Sequence, residues 1–425
     1  MNRPRLGALA SRNFRLLVSC NITSATGTRM ATVAVPFAVL RAGGSVTDVG
    51  FVIAAGLVPT VAFLLFGGVI SDRIPRLQVI VGANLTQAVT QGLFAALVLT
   101  GHARLWEMIV LAAARGGASG FYLPAAQGLL PQTVAPDQLA SANAIQRLGF
   151  NSAQIAGAAL GGVVVGLVGP GWGLVADSAS FVVASALRAG MRLGQLPPAS
   201  RSGLWSELVA GWREFRSRRW LWTQVVLVGL VNAVFQGGFL VLGPVVADHR
   251  LGGAASWGLI MAAFSAGAVA GAAIMVRYRP ARLLFAVSLA LPAMAAPLLA
   301  LAIPLSAWLV VVAALAAGAG TEMYEVNWST AMQEQIPAEL LSRVSSYDFL
   351  GSYALSPIGT IAAGPVTVLV GLTAALAGGG ILIVASSVCV LCVAEVRHLT
   401  RRPPSAVRIQ GTQAAEASAD LGPGS

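Results

Sequence analysis

The chain contains no lysine: all 27 of its basic residues are arginine. The two are not interchangeable at a specific site, but a deficit this complete points to the base composition of the coding sequence. Charge of either sign is scarce. Charged residues make up 10% of the chain, against about 25% in a soluble domain, which excludes an ordinary water-soluble fold. The three cysteines, Cys20, Cys389 and Cys392, offer no disulfide framework. Cys389 and Cys392 have the C-x-x-C spacing of redox or metal sites. They fall in an apolar run with no histidine or carboxylate close by, and read as small packing residues. The three histidines, His102, His249 and His398, lie in predicted loops or at segment ends without ligand-like spacing. With no nucleotide loop and no nucleophile–base set, no metal, no cofactor and no enzymatic activity are expected. The basic N-terminus leads into an apolar run too long for a cleavable signal, so the first span is expected to act as an uncleaved anchor.

What the chain has is apolar length. Hydrophobic residues form 56% of it and the mean hydropathy is +0.77. A span needs about 20 apolar residues, so roughly twelve fit. They are predicted near 14–40, 47–70, 77–100, 105–127, 141–168, 171–191, 220–247, 255–277, 281–302, 305–331, 341–370 and 372–395. Residues 1–191 read as an N-terminal six-helix half and 219–395 as a C-terminal one. Between them, 192–218 is a cytoplasmic linker with an interfacial helix, because Leu204, Leu208, Trp212 and Phe215 share one helical face bordered by arginines. Residues 396–425, rich in Ala, Ser, Gly and Pro, read as a disordered cytoplasmic tail.

Charge sets the orientation. With both termini inside, twenty-one arginines fall on the cytoplasmic side and three, Arg41, Arg104 and Arg250, on the other. That asymmetry is the positive-inside pattern. It accounts for the net charge of +11 without nucleic acid as a partner. The expected location is the plasma (inner) membrane, multi-pass, with the lipid bilayer as partner and the protein a monomer.

The halves repeat. Pro136-Asp137-Gln138-Leu139-Ala140-Ser141 and Pro337-Ala338-Glu339-Leu340-Leu341-Ser342 both read Pro-x-x-Leu-x-Ser, 201 residues apart. Gly68 has a fainter counterpart in Gly271, 203 residues on. Duplicated halves with a site between them at mid-membrane are a transporter pattern.

Between the second and third spans stands Gly67-Gly68-Val69-Ile70-Ser71-Asp72-Arg73-Ile74-Pro75-Arg76. It can be an ordinary basic loop. Its Gly-x-x-x-Asp-Arg-x-x-Arg pattern also resembles the signature loop of the major facilitator superfamily of secondary transporters. Within that superfamily the chain resembles the drug-exporter branch that includes macrolide-efflux-like proteins. This second likeness rests on Phe121-Tyr122-Leu123-Pro124-Ala125, Leu129-Leu130-Pro131, Leu139-Ala140-Ser141-Ala142-Asn143-Ala144, Asp177-Ser178-Ala179-Ser180-Phe181 and Ser342-Arg343-Val344-Ser345-Ser346-Tyr347-Asp348. The resemblance implies an all-α membrane protein with about twelve transmembrane helices in two six-helix pseudo-symmetric halves, the major facilitator fold. It also implies export of hydrophobic compounds in exchange for protons. Three positions depart from the pattern: Ala158 stands where a proline is expected, Thr28 where many relatives carry an acid, and Met275 where an aspartate could sit.

Ionisable residues inside spans are functional candidates by default, because burying charge in lipid costs several kcal/mol. Glu322 and Glu325 are three apart and share a helix face; with Arg115, Arg29 and Asp177 they are the proton-coupling candidates. Each has a plainer reading as a structural ion pair or a solvated end. Gly68, Asp72, Arg73, Arg76 and Asp348 are the gate candidates, Arg147 reads as a gate or packing residue, and Asn21, Phe37, Gln236, Tyr324, Asn327 and Trp328 are candidates to line an apolar substrate cavity. The function expected is proton-coupled efflux of a small hydrophobic drug or secondary metabolite. Export of a siderophore or lipid-like metabolite, and a non-transporting sensor or assembly factor on the same fold, stay open beside it.

Overall fold

The structure, a computed structural model, describes residues 7–127, 129–191, 204–278, 280, 282–303, 306–392 and 395. Among them there is no strand. The first set of helices is α1 (Arg12–Arg41), α2 (Val46–Arg73), α3 (Arg76–Leu99), α4 (Leu105–Gln127), α5 (Leu139–Val168) and α6 (Pro170–Ala189). A short helix, α7 (Leu204–Ser217), follows. The second set begins with α8 (Arg219–Phe235), which runs through a π-helical turn, Gln236–Leu242, into α9 (Gly243–Arg250). It continues with α10 (Ala254–Arg277), α11 (Leu283–Ala290) and α12 (Ala295–Ala302), then α13 (Ala307–Gln335). It closes with α14 (Ala338–Tyr353), α15 (Ser356–Val370) and α16 (Leu372–Val390).

Among the described residues, nine helical spans are long and apolar enough to cross a membrane by length and composition alone. α1, α4 and α6 are not among the nine. They carry Arg29, Arg115, and Asp177 with Arg188, respectively. The least apolar helices of the first set are thus the ones that bring charge inside it.

Local signals explain the ends. Ser11 caps α1, its hydroxyl accepting from the Phe14 amide at 3.3 Å. Ser45 and Asp48 form a reciprocal capping box at the start of α2, with bonds of 2.7 and 3.3 Å. Three spans that read as continuous in the sequence are interrupted. Pro292 and Pro357 sit at the starts of the segments that break the α11–α12 and α14–α15 runs. Gly237-Gly238 lie within the π-helical turn after α8, and Pro244 follows it. The turns α5–α6 and α15–α16 are each a single glycine, Gly169 at φ 100° and Gly371 at φ 85°. Both occupy the left-handed region that glycine tolerates without strain, and they lie at corresponding places in the two sets.

Packing repeats the same symmetry. Within the sets, α2 lies on α4 as α10 lies on α13. Between the sets, α5 lies on α10 and α2 on α15. Each is a contact of a fifth helix with a second one. The outside is apolar, with Leu148, Leu167, Val368 and Leu369 exposed. Trp106, Trp172 and Trp308, at the starts of α4, α6 and α13, are exposed at the bundle end away from the N-terminus of α1. An apolar belt with interfacial tryptophans is the surface a bilayer covers.

In α7, Trp212 and Phe215 stack at 5.7 Å and both meet Tyr347 of α14, at 5.4 and 6.0 Å. Its aromatic face is therefore turned to the second set. The side chains of Leu204 and Leu208, residues 192–203 and the tail 396–425 lie outside the described residues.

Candidate functional site

In α6 the positions Asp177, Phe181, Ala184 and Arg188 are all buried. Their spacing follows one helix face at 3.6 residues per turn. Asp177 is fully buried and faces Arg115 of α4 across 3.2 Å. The Thr28 hydroxyl of α1 donates to its other oxygen at 3.4 Å. The position where α1 lacks an acid is thus served by a carboxylate from α6. Arg115 also lies over the Phe181 ring at 5.8 Å, and its Nε has no protein partner.

Arg115 borders a cavity of about 240 Å³. Thr32, Thr60, Gln91, Ser119 and Gln236 also line it. Gln236 comes from the π-helical turn of the second set, so this cavity already joins the two sets. The Gln91 Nε2 is buried without a partner, leaving two unused donors beside one void.

A second ion pair bridges the sets directly. Arg147 of α5 donates to Glu322 of α13. The arginine side chain is 64% exposed and the glutamate 17%. Glu325, one turn on, has Asp348, Glu322 and Arg147 as charged neighbours. Asp348 on α14 accepts from Trp328 Nε1 at 3.0 Å and from Ser352 at 3.4 Å. Arg147 thus serves Glu322 directly and Glu325 through space, while Asp348 is held by Trp328 and Ser352. Glu325 is exposed.

The sets close against each other at the end remote from the N-terminus of α1. A Cβ on Gly258 of α10 would lie 2.4 Å from the Gly162 Cα of α5, and one on Gly364 of α15 2.1 Å from the Thr47 hydroxyl of α2. Backbones this close admit no side chain. The hydrophobic core follows the same division. One cluster runs through both sets and includes Phe37, Val52, Val165, Trp257 and Ala363. The other, around Phe14, Leu17, Ile80 and Leu129, belongs to the first set alone, near the N-terminal end of α1.

The remaining candidates are placed as follows. Arg29 packs its Cβ near Gly157 and has no ion-pair or hydrogen-bond partner among the described residues. Phe37 is in the shared core, closed off from the cavity. Tyr324 and Trp328 stack at 6.1 Å, and Trp328 meets Trp220 at 5.7 Å, inside the second set. Asn327 donates to Met275 Sδ at 3.1 Å. Asn21 accepts from Arg188 at 2.6 Å. Arg76 opens α3; the side chains of Gly68, Asp72 and Arg73 lie outside the described residues.

Arg188 corrects the charge count. One of the twenty-one arginines counted as cytoplasmic, it is 1% exposed inside the first set. The signal was available, since it falls on the same helix face as Asp177.

The family described as transmembrane secretion effector matches residues 4–414. The multidrug efflux pump Tap of Mycolicibacterium fortuitum is 26% identical over 375 residues, covering 84% of this chain and 90% of that protein. Among solved structures, the nucleoside transporter NupG aligns with a TM-score of 0.72 at 12% identity, over 89% of this chain and 98% of that one. A bacterial homolog of the human lysosomal transporter Spinster, inward-facing and unoccupied, aligns with a TM-score of 0.66 at 16% identity, over 95% and 100%. At these identities the structural likeness speaks to fold alone.

Proposed function

Since the chain belongs to the transmembrane secretion effector family of the major facilitator superfamily, we propose that it exports small hydrophobic drugs or secondary metabolites by alternating access, driven by protons. The basic end of the bundle is then cytoplasmic, with both termini there and the protein in the plasma membrane as a monomer. The observation that carries this reading is the contrast between the two ends. Gly162 and Gly258 hold the outer end shut, while the inner core cluster stays within one set. The described state is then the one open to the cytoplasm.

The acid cluster supplies the coupling step. Glu322 pairs with Arg147 and has Glu325 one turn away, so an arriving proton competes with the arginine for the carboxylate. Proton binding at Glu322 or Glu325 releases Arg147 and lets the halves rock about the outer seal. Arg115 and Asp177 hold the first half rigid beside the cavity, and Arg29, on the face of α1 toward Gly157, adds a cation without a partner among the described residues. Gly68, Asp72, Arg73 and Arg76, with Asp348, form the cytoplasmic gate that closes in the opposite state. The cavity edge at Gln236 gives cargo its contact with both halves; Tyr324, Asn327 and Trp328 back the acid cluster.

A proteoliposome assay tests this. An imposed proton gradient is expected to drive a lipophilic dye across the membrane, and a protonophore to stop it. Glu322→Gln with Glu325→Gln is expected to leave only downhill, gradient-independent movement. Dye flux in that double variant still driven by the proton gradient would remove the acids from the coupling step.

A second reading concerns cargo. An apolar cleft of about 520 Å³ lies between α8, its π-helical turn, α15 and α16. Its walls suit an alkyl chain, which favours a lipid-like metabolite as the exported compound.

A further inference from the structure

Arg188 is a buried cation with no carboxylate beside it among the described residues. Its Nη2 donates to Asn21 Oδ1 at 2.6 Å and to the Tyr122 hydroxyl at 2.8 Å. Its guanidinium lies 5.2 Å from the Tyr122 ring centroid. Its Nε and Nη1 have no partner, and each is closed to solvent.

Two neighbouring side chains are in the same condition. Both amide atoms of Asn84, on α3, are buried and unpartnered, and so is the Ser185 hydroxyl on α6. Ser185 precedes Arg188 by three positions on one helix, so the two are neighbours on its surface. Asn84 is brought to their level by two other contacts. Ser119 donates to Gln87 at 3.1 Å, pairing α4 with α3. One turn along that pairing, toward the N-terminus of α3, Asn84 comes opposite Tyr122, which holds Arg188. Two helices, α3 and α6, thus carry five unsatisfied polar atoms at one level of the first half. Phe14, Leu17, Ile80, Leu129 and Ala184 form a buried apolar cluster at the same end of the first set.

An unpaired buried charge is among the most costly arrangements a protein can hold, and orphaned buried polar groups call for a partner. Four of the five atoms are nitrogens or a hydroxyl that donate, and no acid among the described residues reaches them. We infer that Arg188, Asn84 and Ser185, with Tyr122 and Asn21 orienting the guanidinium, form a binding site for a small desolvated monovalent anion of the size of chloride. The burial of these atoms disfavours large or multiply charged anions. The site lies in the first half, apart from the Arg115–Asp177 pair, and sets the spacing of α1, α3, α4 and α6 at the basic end. It does not depend on which compound the protein exports.

The purified full-length protein in detergent, melted in gluconate buffer at constant ionic strength, gives the test. Stepwise replacement of gluconate by chloride or bromide is expected to raise the melting temperature by several degrees and to saturate. Arg188→Gln should abolish the response, and Arg188→Lys should retain a weaker one. Should Arg188→Gln fail to fold, Asn84→Leu supplies the second arm. It removes two orphaned atoms and fills the site, so the variant should melt at or above the wild-type temperature and ignore halide. Crystals grown in bromide should show one anomalous peak beside Arg188. A wild-type protein that melts identically in chloride and gluconate, or density there that is water only, overturns the site. So does an Asn84→Leu variant with an unchanged halide response.

Discussion

Arg147 of α5 donates to Glu322 of α13, an ion pair that joins the two bundles directly. Because the arginine is 64% exposed, the pair adds about 1 kcal/mol or less to static stability. Its weight falls on the equilibrium between conformations, where coupling energies run to about 1–3 kcal/mol. Glu322→Gln is therefore expected to leave the melting temperature within a degree or two and to cut gradient-driven flux about tenfold or more. The exchanged pair Arg147→Glu with Glu322→Arg should recover much of that flux. Equal losses in both variants would show that the identity of each residue matters and not their attraction.

Asp177 behaves differently, because it is fully buried against Arg115. Removing one partner of a buried pair costs about 3–5 kcal/mol, whereas replacing both by apolar residues is often neutral. Asp177→Asn should lower the melting temperature and yield. Asp177→Leu with Arg115→Met should restore stability without restoring transport. Thermal melts of the three proteins beside a flux assay separate scaffold from function.

Much of this was legible from residues alone. Apolar run lengths placed nearly every helix within a few residues of where it lies, because length and hydropathy dominate when the solvent is lipid. The Pro-x-x-Leu-x-Ser repeat pointed to halves whose packing does repeat. Pair assignments were less accessible. Glu322 and Glu325 could be put on one face, but Arg147 comes from a helix 175 positions away, and no local pattern announces that partner. Arg188 was counted with the cytoplasmic arginines. Only its phase with Asp177 betrays that it turns inward. Phe37 looked like a cavity residue and is core, since a periodic stripe does not say which neighbour covers it.

The seal between α5 and α10 gives a conformational prediction. A Cβ at Gly258 would stand 2.4 Å from the Gly162 Cα and 2.8 Å from the Ala158 oxygen. Neither is a flexible side-chain end, so the helices themselves must part. Gly258→Leu should therefore shift the population toward the state open at the outer end. Spin labels at Ala42 and His249, both exposed at that end, should report longer distances in this variant, with transport slowed in proportion. An unchanged distance distribution would mean the seal lies elsewhere.

The cleft between α8, α15 and α16 offers a substitution that adds bulk at no steric charge to the fold. A Cβ on Gly378 meets nothing within 4 Å, and the residue lines the apolar void of about 520 Å³. Gly378→Leu inserts three further carbons beyond the Cβ into that space, burying apolar surface worth about 0.8 kcal/mol per methylene where it packs. Stability should hold or rise. If cargo with a long alkyl chain occupies the cleft, its transport should fall severalfold in this variant while that of a compact aromatic dye is unchanged. The selective loss matters more than its size. An equal fall for both cargoes would trace to the neighbouring π-helical turn, which Gln236 and Leu240 share with the central cavity. No fall for either would leave the cleft to membrane lipid and remove the reason to prefer a lipid-like compound as cargo.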